Sequence, residues 1–131
     1  MPAATPSPVG RLGLLICDSV REPLAARHGE YPAMFERLLR AVRPSLGFRS
    51  FAVHLGEYPA SPAVCDAWIV SGSRRSVYED EPWIRWLEAF VRDFGARDHV
   101  RLTDIGCGAA SHLRSLAPHL GARQSWRLVD Y

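Results

Sequence analysis

Cys107 lies between two glycines, Gly106 and Gly108, in the stretch VRLTDIGCGAASHLRSL from Val100 to Leu116. An apolar run enters this Asp-Ile-Gly-Cys-Gly turn, and a helix-like segment leaves it. Strand, glycine turn and helix start form the geometry that presents a nucleophile or an anion site at the top of an α/β sheet. Two chemistries fit these residue types. A cysteine on a sharp elbow at a helix N-terminus has a lowered thiol pKa and can attack an acyl carbon. Alternatively, Gly106 and Gly108 begin a nucleotide-binding loop. Neither chemistry is completed before Tyr131, so the stretch speaks more to ancestry than to activity.

Other polar residues carry weaker signals. Asp18 follows an apolar run, at the strand end where open α/β sheets place ligand groups; as a loop or cap carboxylate it would be structural. Arg74 and Arg75 could hold an anion, against the alternative of a solvated loop pair. His28 precedes a helix and reads as a surface or capping residue. His112 and His119 are not spaced to reach back to Cys107 and also read as surface residues.

Elements must position these groups. Leu12 to Cys17 is a short continuous apolar run, the pattern of a strand covered on both faces. Residues 19–30 read as an irregular connector. Tyr31 to Val42 predicts a helix, with Pro32 in its first turn and Met34, Phe35, Leu38, Leu39 and Val42 as one apolar stripe. Phe48 to Leu55 alternates, setting Phe51, Val53 and Leu55 on one side of a second strand. A loop to Ala63 leads to a third strand, Ala67 to Val70, which ends in Ser71-Gly72-Ser73. Glu79, Asp80 and Glu81 ahead of Pro82 mark the start of a helix, and Gly95 its end. Ile84, Leu87, Val91 and Phe94 recur at helical spacing, widened by Trp83, Trp86 and Phe90 into a core-facing stripe. A helix from about Ala110 to Leu120 and a strand from Gln124 to Asp130 complete the order β-α-β-β-α-β-α-β. That order implies a mostly parallel sheet with helices on its faces. The expected fold is a three-layer α/β domain of about five strands, flavodoxin- or Rossmann-like.

Composition bounds the function classes. The chain has 131 residues, 47% apolar and 23% charged, enough for one domain with a real core. A formal charge of +2 gives no field that argues for nucleic acid or a membrane surface. All 16 basic residues are arginine, which reads as coding bias. Three cysteines, Cys17, Cys65 and Cys107, form no CxxC pair and fit reduced thiols in a cytoplasm. There is no metal-ligand spacing and no apolar stretch long enough to span a bilayer. Residues 1–10 lack the charged and apolar regions of a signal peptide and read as a disordered tail.

Residues 12 to about 94 resemble the first half of a class I, triad-type glutamine amidotransferase domain. The segment Asp66-Ala-Trp-Ile-Val-Ser-Gly-Ser73 carries the resemblance, with Ser76-Val-Tyr-Glu-Asp-Glu-Pro-Trp-Ile84 and its helix after it, and Gly29 to Phe35 (GEYPAMF) in support. It implies that Gly72 supplies a backbone N–H to an oxyanion hole, and that the next strand ends in a Gly-x-Cys-x-Gly elbow whose thiol attacks the glutamine amide. The sequence departs from that pattern at Cys107. Its glycines are adjacent, not two residues away, and neither the downstream Gln nor the later His-x-Glu of the family occurs by Tyr131.

Residues 97 to 131 resemble the opening of a Rossmann-like methyltransferase dependent on S-adenosylmethionine. The residues are Leu102-Thr-Asp-Ile-Gly-Cys-Gly-Ala-Ala-Ser111, then HLRSLAPHLG, then Trp126-Arg-Leu-Val-Asp130. The likeness implies that Asp104, Gly106 and Gly108 approach the amino-acid and ribose parts of the cofactor, and that Asp130 binds its ribose. Ala110 stands where that motif has its third glycine, adding a methyl where helix and strand pack closely.

The two likenesses together suggest a disordered tail over 1–10 and one α/β domain over 11–131, a join of 11–94 and 97–131. The best-covered label is a glutamine amidotransferase-like domain that does not complete amidase chemistry. An S-adenosylmethionine or nucleotide-binding unit is the alternative, and a non-catalytic remnant or partner subunit the third. Glutamine or S-adenosylmethionine is the expected small ligand, and an exposed sheet edge would permit a homodimer.

Overall fold

The computed structural model describes residues 9–75, 79–97, 100–105, 116–121 and 123–129 and, of Asp104 and Ile105, the backbone. The chain divides into two compact units, Met1–Ile84 and Arg85–Tyr131.

In the first unit, strand β1 (Arg11–Ile16) is central, and β2 (Gly47–Ala52) and β3 (Ala67–Val70) flank it. Both pairings are parallel. Arg11 stands opposite Gly47 and Ile16 opposite Ala52, while Leu12 meets Ala67 and Leu15 meets Val70. The apolar run of β1 is what a central strand requires, since both its faces are covered. Leu14 and Leu15 are wholly inaccessible to solvent. Leu12, Leu14 and Ile16 face one side and pack with Leu46, Phe48, Ile69 and the helix α2 (Tyr31–Val42). On α2 the contacts come from Tyr31, Phe35 and Leu39, one residue per turn.

The expected α2 stripe was wider than this. Leu38 and Val42 are 66% and 85% exposed. The three side chains at 31, 35 and 39 fill the β1-centred core, so the helix has apolar surface beyond what that core uses. The connector also gains order. It contains a short helix α1 (Leu24–His28), and the Glu30 carboxylate accepts the Val20 N–H at 3.0 Å.

The second strand ends sooner than its alternation predicted. Extended backbone stops at Ala52, and Val53–Leu55 turn into a single 3₁₀ turn closed by the left-handed Gly56 (φ 85°). Val53 is buried, but Leu55 is 71% exposed, because the turn abolishes the period-2 register. At the other end of the sheet, Asp66 accepts the N–H groups of Gly10 and Arg11 at 3.0 and 2.8 Å, which pins the entry of β1 to the entry of β3. These two bonds hold its carboxyl below the usual carboxylate range.

Helix α3 (Pro82–Gly95) begins at the proline, as expected. Trp83 and Ile84, which belong to the first unit, and Phe90, which belongs to the second, are buried; the Trp86 and Phe90 rings lie tilted with centroids 5.1 Å apart. The second unit also holds β4 (Val100–Ile105) and β5 (Gln124–Val129), paired in parallel from Val100↔Gln124 to Ile105↔Val129. Leu120 packs directly against Gly95, leaving no room there for a Cβ, and the Gly121 N–H donates to the Gly95 carbonyl at 2.8 Å. Gln124 donates to the carbonyls of Ala117 and Gly121, and accepts the Trp126 indole N–H at 2.7 Å. Most of the expected helix over 110–120 lies outside the described residues, apart from a 3₁₀ turn at Ala117–His119 that leaves His119 exposed.

The described strands thus form a mixed α/β structure with parallel sheets of three and two strands. No helix among the described residues is long and apolar enough to cross a membrane.

Candidate functional site

The order β2-β1-β3 makes the chain reverse direction across the sheet at β1. The first crossover leads from β1 to one neighbour and the second returns past β1 to the other. The loops that leave β1 and β3 therefore diverge, and a crevice opens at their carboxyl ends. Asp18 and Gly72 fall there, one on each loop.

The two loops are cross-linked by polar bonds that no local pattern reveals. Ser71, itself buried, accepts the Cys17 N–H at 2.8 Å and donates its hydroxyl to the Gly72 carbonyl at 3.1 Å. Asp18 is gripped by Arg74 in a forked pair, with Nε to Oδ2 at 2.8 Å and Nη2 to Oδ1 at 2.7 Å. The Arg74 N–H adds a third bond at 2.9 Å. The guanidinium holds the Asp18 carboxyl well below the usual carboxylate range, aided by backbone N–H donors. Neither expected use of Asp18 or Arg74 as a free ligand group survives this geometry, since each is the other's partner. Arg75 is engaged likewise, with Glu79 at 3.3 Å and Glu81 at 3.9 Å.

The Asp18–Arg74 clamp has a testable acid signature. An unfolded aspartate titrates near about 3.9, so a lower folded pKa favours the native state above that value. The contribution fades as pH falls below about 4 toward the folded pKa. Asp18 is 14% exposed but Arg74 is 52% exposed, so solvent screens the pair. Asp18→Ala should cost about 1–2 kcal/mol at pH 7, the scale of charge-assisted hydrogen bonds after that discount. The gap between wild type and variant in urea unfolding should narrow at pH 3.

A crevice of about 500 Å³ is bordered by Cys17, Asp18, Arg21, His54 and Arg74. A second, of about 360 Å³, is bordered by Ser19, Arg21, Tyr31, Gly72 and Ser73, with Asp18 and Arg74 common to both. Cys17 is no nucleophile at neutral pH. The residue is 3% exposed, and burial pushes its thiol pKa up to about 11. Cys65 is also a buried free thiol raised by burial.

His54 was not legible as a site residue. It sits in the 3₁₀ turn after β2. Its Nδ1 lies 3.0 Å from the Ile16 carbonyl and its Nε2 lies 3.2 Å from the Ser19 hydroxyl. Ser19 follows directly on Asp18, which accepts its N–H at 2.8 Å. The two residues are 35 positions apart, so no spacing rule could have joined them.

Of the residues singled out from the sequence, Gly72 is exposed at the crevice. Its N–H enters no backbone hydrogen bond among the described residues. Asp104 is the next-to-last residue of β4, level with Leu128 on β5. Gly106, Cys107, Gly108 and Asp130 lie outside the described residues, as does His112. No protein-family model matches the chain, and no curated protein or solved structure matches it either.

Proposed function

We propose that the chain is a glutamine amidotransferase-like α/β domain that binds a small polar ligand at the β1/β3 crevice without completing amidase chemistry. One observation carries this reading: Gly72 follows the parallel strand β3 at the switch point, beside the end of β1, and its N–H at the crevice enters no backbone hydrogen bond among the described residues. A backbone donor in that position is what an oxyanion hole uses. The reading includes a three-layer, flavodoxin- or Rossmann-like sheet of about five strands, a cytoplasmic chain with reduced thiols, and a homodimer through an exposed sheet edge. Light scattering on the eluted chain tests the last, and a monomer would count against it.

In an active amidase, the Cys107 thiolate would attack the glutamine amide carbon, with the developing oxyanion held by the Gly72 N–H. Cys107 has Gly106 and Gly108 directly beside it, where the family's elbow has its glycines two residues away, so the turn does not match the one that activates the thiol. The expected result is no glutamate release above background from the purified chain. Release that disappears in Cys107→Ala would overturn the inactive reading and establish the thioester route.

A second reading rests on a different observation. Strands β4 and β5 are parallel, adjacent neighbours, and their last residues, Ile105 and Val129, are paired. The chain therefore leaves both strands side by side, and the sequence continues from Ile105 into Gly-Cys-Gly and from Val129 into Asp130. That supports an S-adenosylmethionine or nucleotide site at Asp104, Gly106, Gly108 and Asp130. Calorimetric titration with S-adenosylhomocysteine should give saturable binding that weakens in Asp130→Ala; no heat with the parent chain would end this reading.

A further inference from the structure

We propose that Ser19 and His54 form a nucleophile–base pair that hydrolyses small esters carrying a carboxylate, where the two crevices at the ends of β1 and β3 share Asp18, Arg21 and Arg74. This goes beyond the amidotransferase-like reading and does not depend on it, since neither Cys107 nor glutamine takes part.

The argument begins with the tautomer of His54. A carbonyl oxygen only accepts, so the 3.0 Å contact with Ile16 puts the proton on Nδ1. In the neutral ring Nε2 then holds a lone pair, and the group 3.2 Å from it is the Ser19 hydroxyl, which donates. A base within hydrogen-bond reach of a hydroxyl, its tautomer set by a third group on its far nitrogen, is the arrangement that activates a serine. Here the third group is a main-chain carbonyl of the buried residue that ends β1, so it belongs to the rigid part of the sheet.

Ser19 is positioned as firmly. Its N–H is held by Asp18, and Asp18 is fixed by the three bonds from Arg74. The next residue, Val20, is tied to Glu30. The serine thus sits between two anchored neighbours, though the loop around it has little regular structure.

The two crevices supply the remaining parts. His54 borders the larger and Ser19 the smaller, with Asp18, Arg21 and Arg74 common to both; Gly72 and Ser73 border the smaller together with Ser19, and their N–H groups enter no backbone hydrogen bond among the described residues. They are the donors available to a developing oxyanion. Arg21 borders both crevices and forms no ion pair among the described residues, whereas Arg74 and Arg75 are both engaged by carboxylates. With Asp18 neutralised by Arg74, an uncommitted guanidinium beside the nucleophile selects an anionic substrate, and a planar carboxylate matches its fork.

The reaction balances with water alone. Ser19 Oγ bonds to the ester carbonyl carbon while its proton passes to His54 Nε2. The carbon–oxygen bond to the alcohol breaks, and that alcohol leaves with the proton from Nε2. Water then attacks the acyl-serine, giving a proton to His54 that returns to Ser19 Oγ as the acid departs.

The test uses the full chain with two probes, a fluorophosphonate and mono-4-nitrophenyl succinate, and 4-nitrophenyl butyrate as the neutral comparison. The fluorophosphonate should label the tryptic peptide Leu12–Arg21, whose one hydroxyl side chain is Ser19, with loss of fluoride. Label and succinate-ester turnover should both vanish in Ser19→Ala. In His54→Gln, turnover should fall by about 100-fold or more, the lower range of general-base contributions. Gln can still donate to the Ile16 carbonyl, which keeps the turn intact for this comparison. Arg21→Gln should cut the preference for the succinate over the butyrate ester roughly 10-fold, in keeping with one lost charge-assisted pair. No label on wild type, or turnover unchanged in Ser19→Ala, would overturn the pair. An unchanged ester preference in Arg21→Gln would overturn the anionic substrate.

Discussion

Leu14→Ala is expected to destabilise the first unit by about 3–4 kcal/mol, within the range for a fully buried leucine. Leu14 has no solvent exposure and sits mid-way along the central strand, opposite Ser50 on β2 and Ile69 on β3. Removing its side chain costs the transfer energy of the lost methyl and methylene groups, plus the cavity left behind. The cavity has little chance to collapse, because the backbone on either side is hydrogen-bonded to a neighbouring strand. Tyr31, Phe35 and Leu39 approach from α2, whose exposed partners Leu38 and Val42 cannot rotate inward without unseating them. Urea unfolding followed by circular dichroism measures the loss. A change under about 1 kcal/mol, as at a surface position, would mean that α2 does not close this core.

Gly13→Ala is the second large effect, and its direction runs against ordinary propensity. Alanine in a strand is normally easier to order than glycine. At Gly13, however, the indole of Trp68 lies where a Cβ would stand. The two residues are register partners across β1 and β3. The indole is held from two other sides, by its N–H bond to the Pro62 carbonyl at 3.0 Å and by Phe51 at 5.9 Å between ring centroids. The added methyl must displace this ring, an overpacking cost of roughly 2–3 kcal/mol. Because Gly72 follows β3 by two residues, a displaced β3 should also disturb the crevice. Thermal unfolding of Gly13→Ala in a Trp68→Leu background separates the causes: the alanine should cost little there. An equal penalty in both backgrounds would place the strain in the backbone.

Several elements were legible before any tertiary information. The bounds of α2 and β3 and the start of α3 were each marked by local chemistry: a first-turn proline, a short β-rich apolar run, and acidic residues before Pro82. The apolar run at Leu12–Cys17 announced a strand covered on both faces, and β1 is central. Other features were illegible because they depend on residues far apart in the chain. Alternation carried the second strand on to Leu55, but the chain turns after Ala52, which brings His54 to the end of β1. Arg74 and Arg75 looked like free cations only because their carboxylates could not be matched to them from spacing.

By itself the sequence determined where apolar surface must be buried and where the chain can turn, because periodicity, proline and glycine act over a few residues. It also determined the parallel character of the sheets, since strands separated by helical segments pair that way. The strand order β2-β1-β3 was decided only in three dimensions, and the contents of the crevice follow from it. Asp18 meets Arg74 across 56 positions, Ser71 meets Cys17 across 54, and Ser19 meets His54 across 35. Such contacts depend on which strand ends adjoin. The physical reason is that a side chain's hydrogen-bond partner is chosen by distances of about 3 Å in space, and sequence spacing fixes those only within a single turn of helix or one step of a strand.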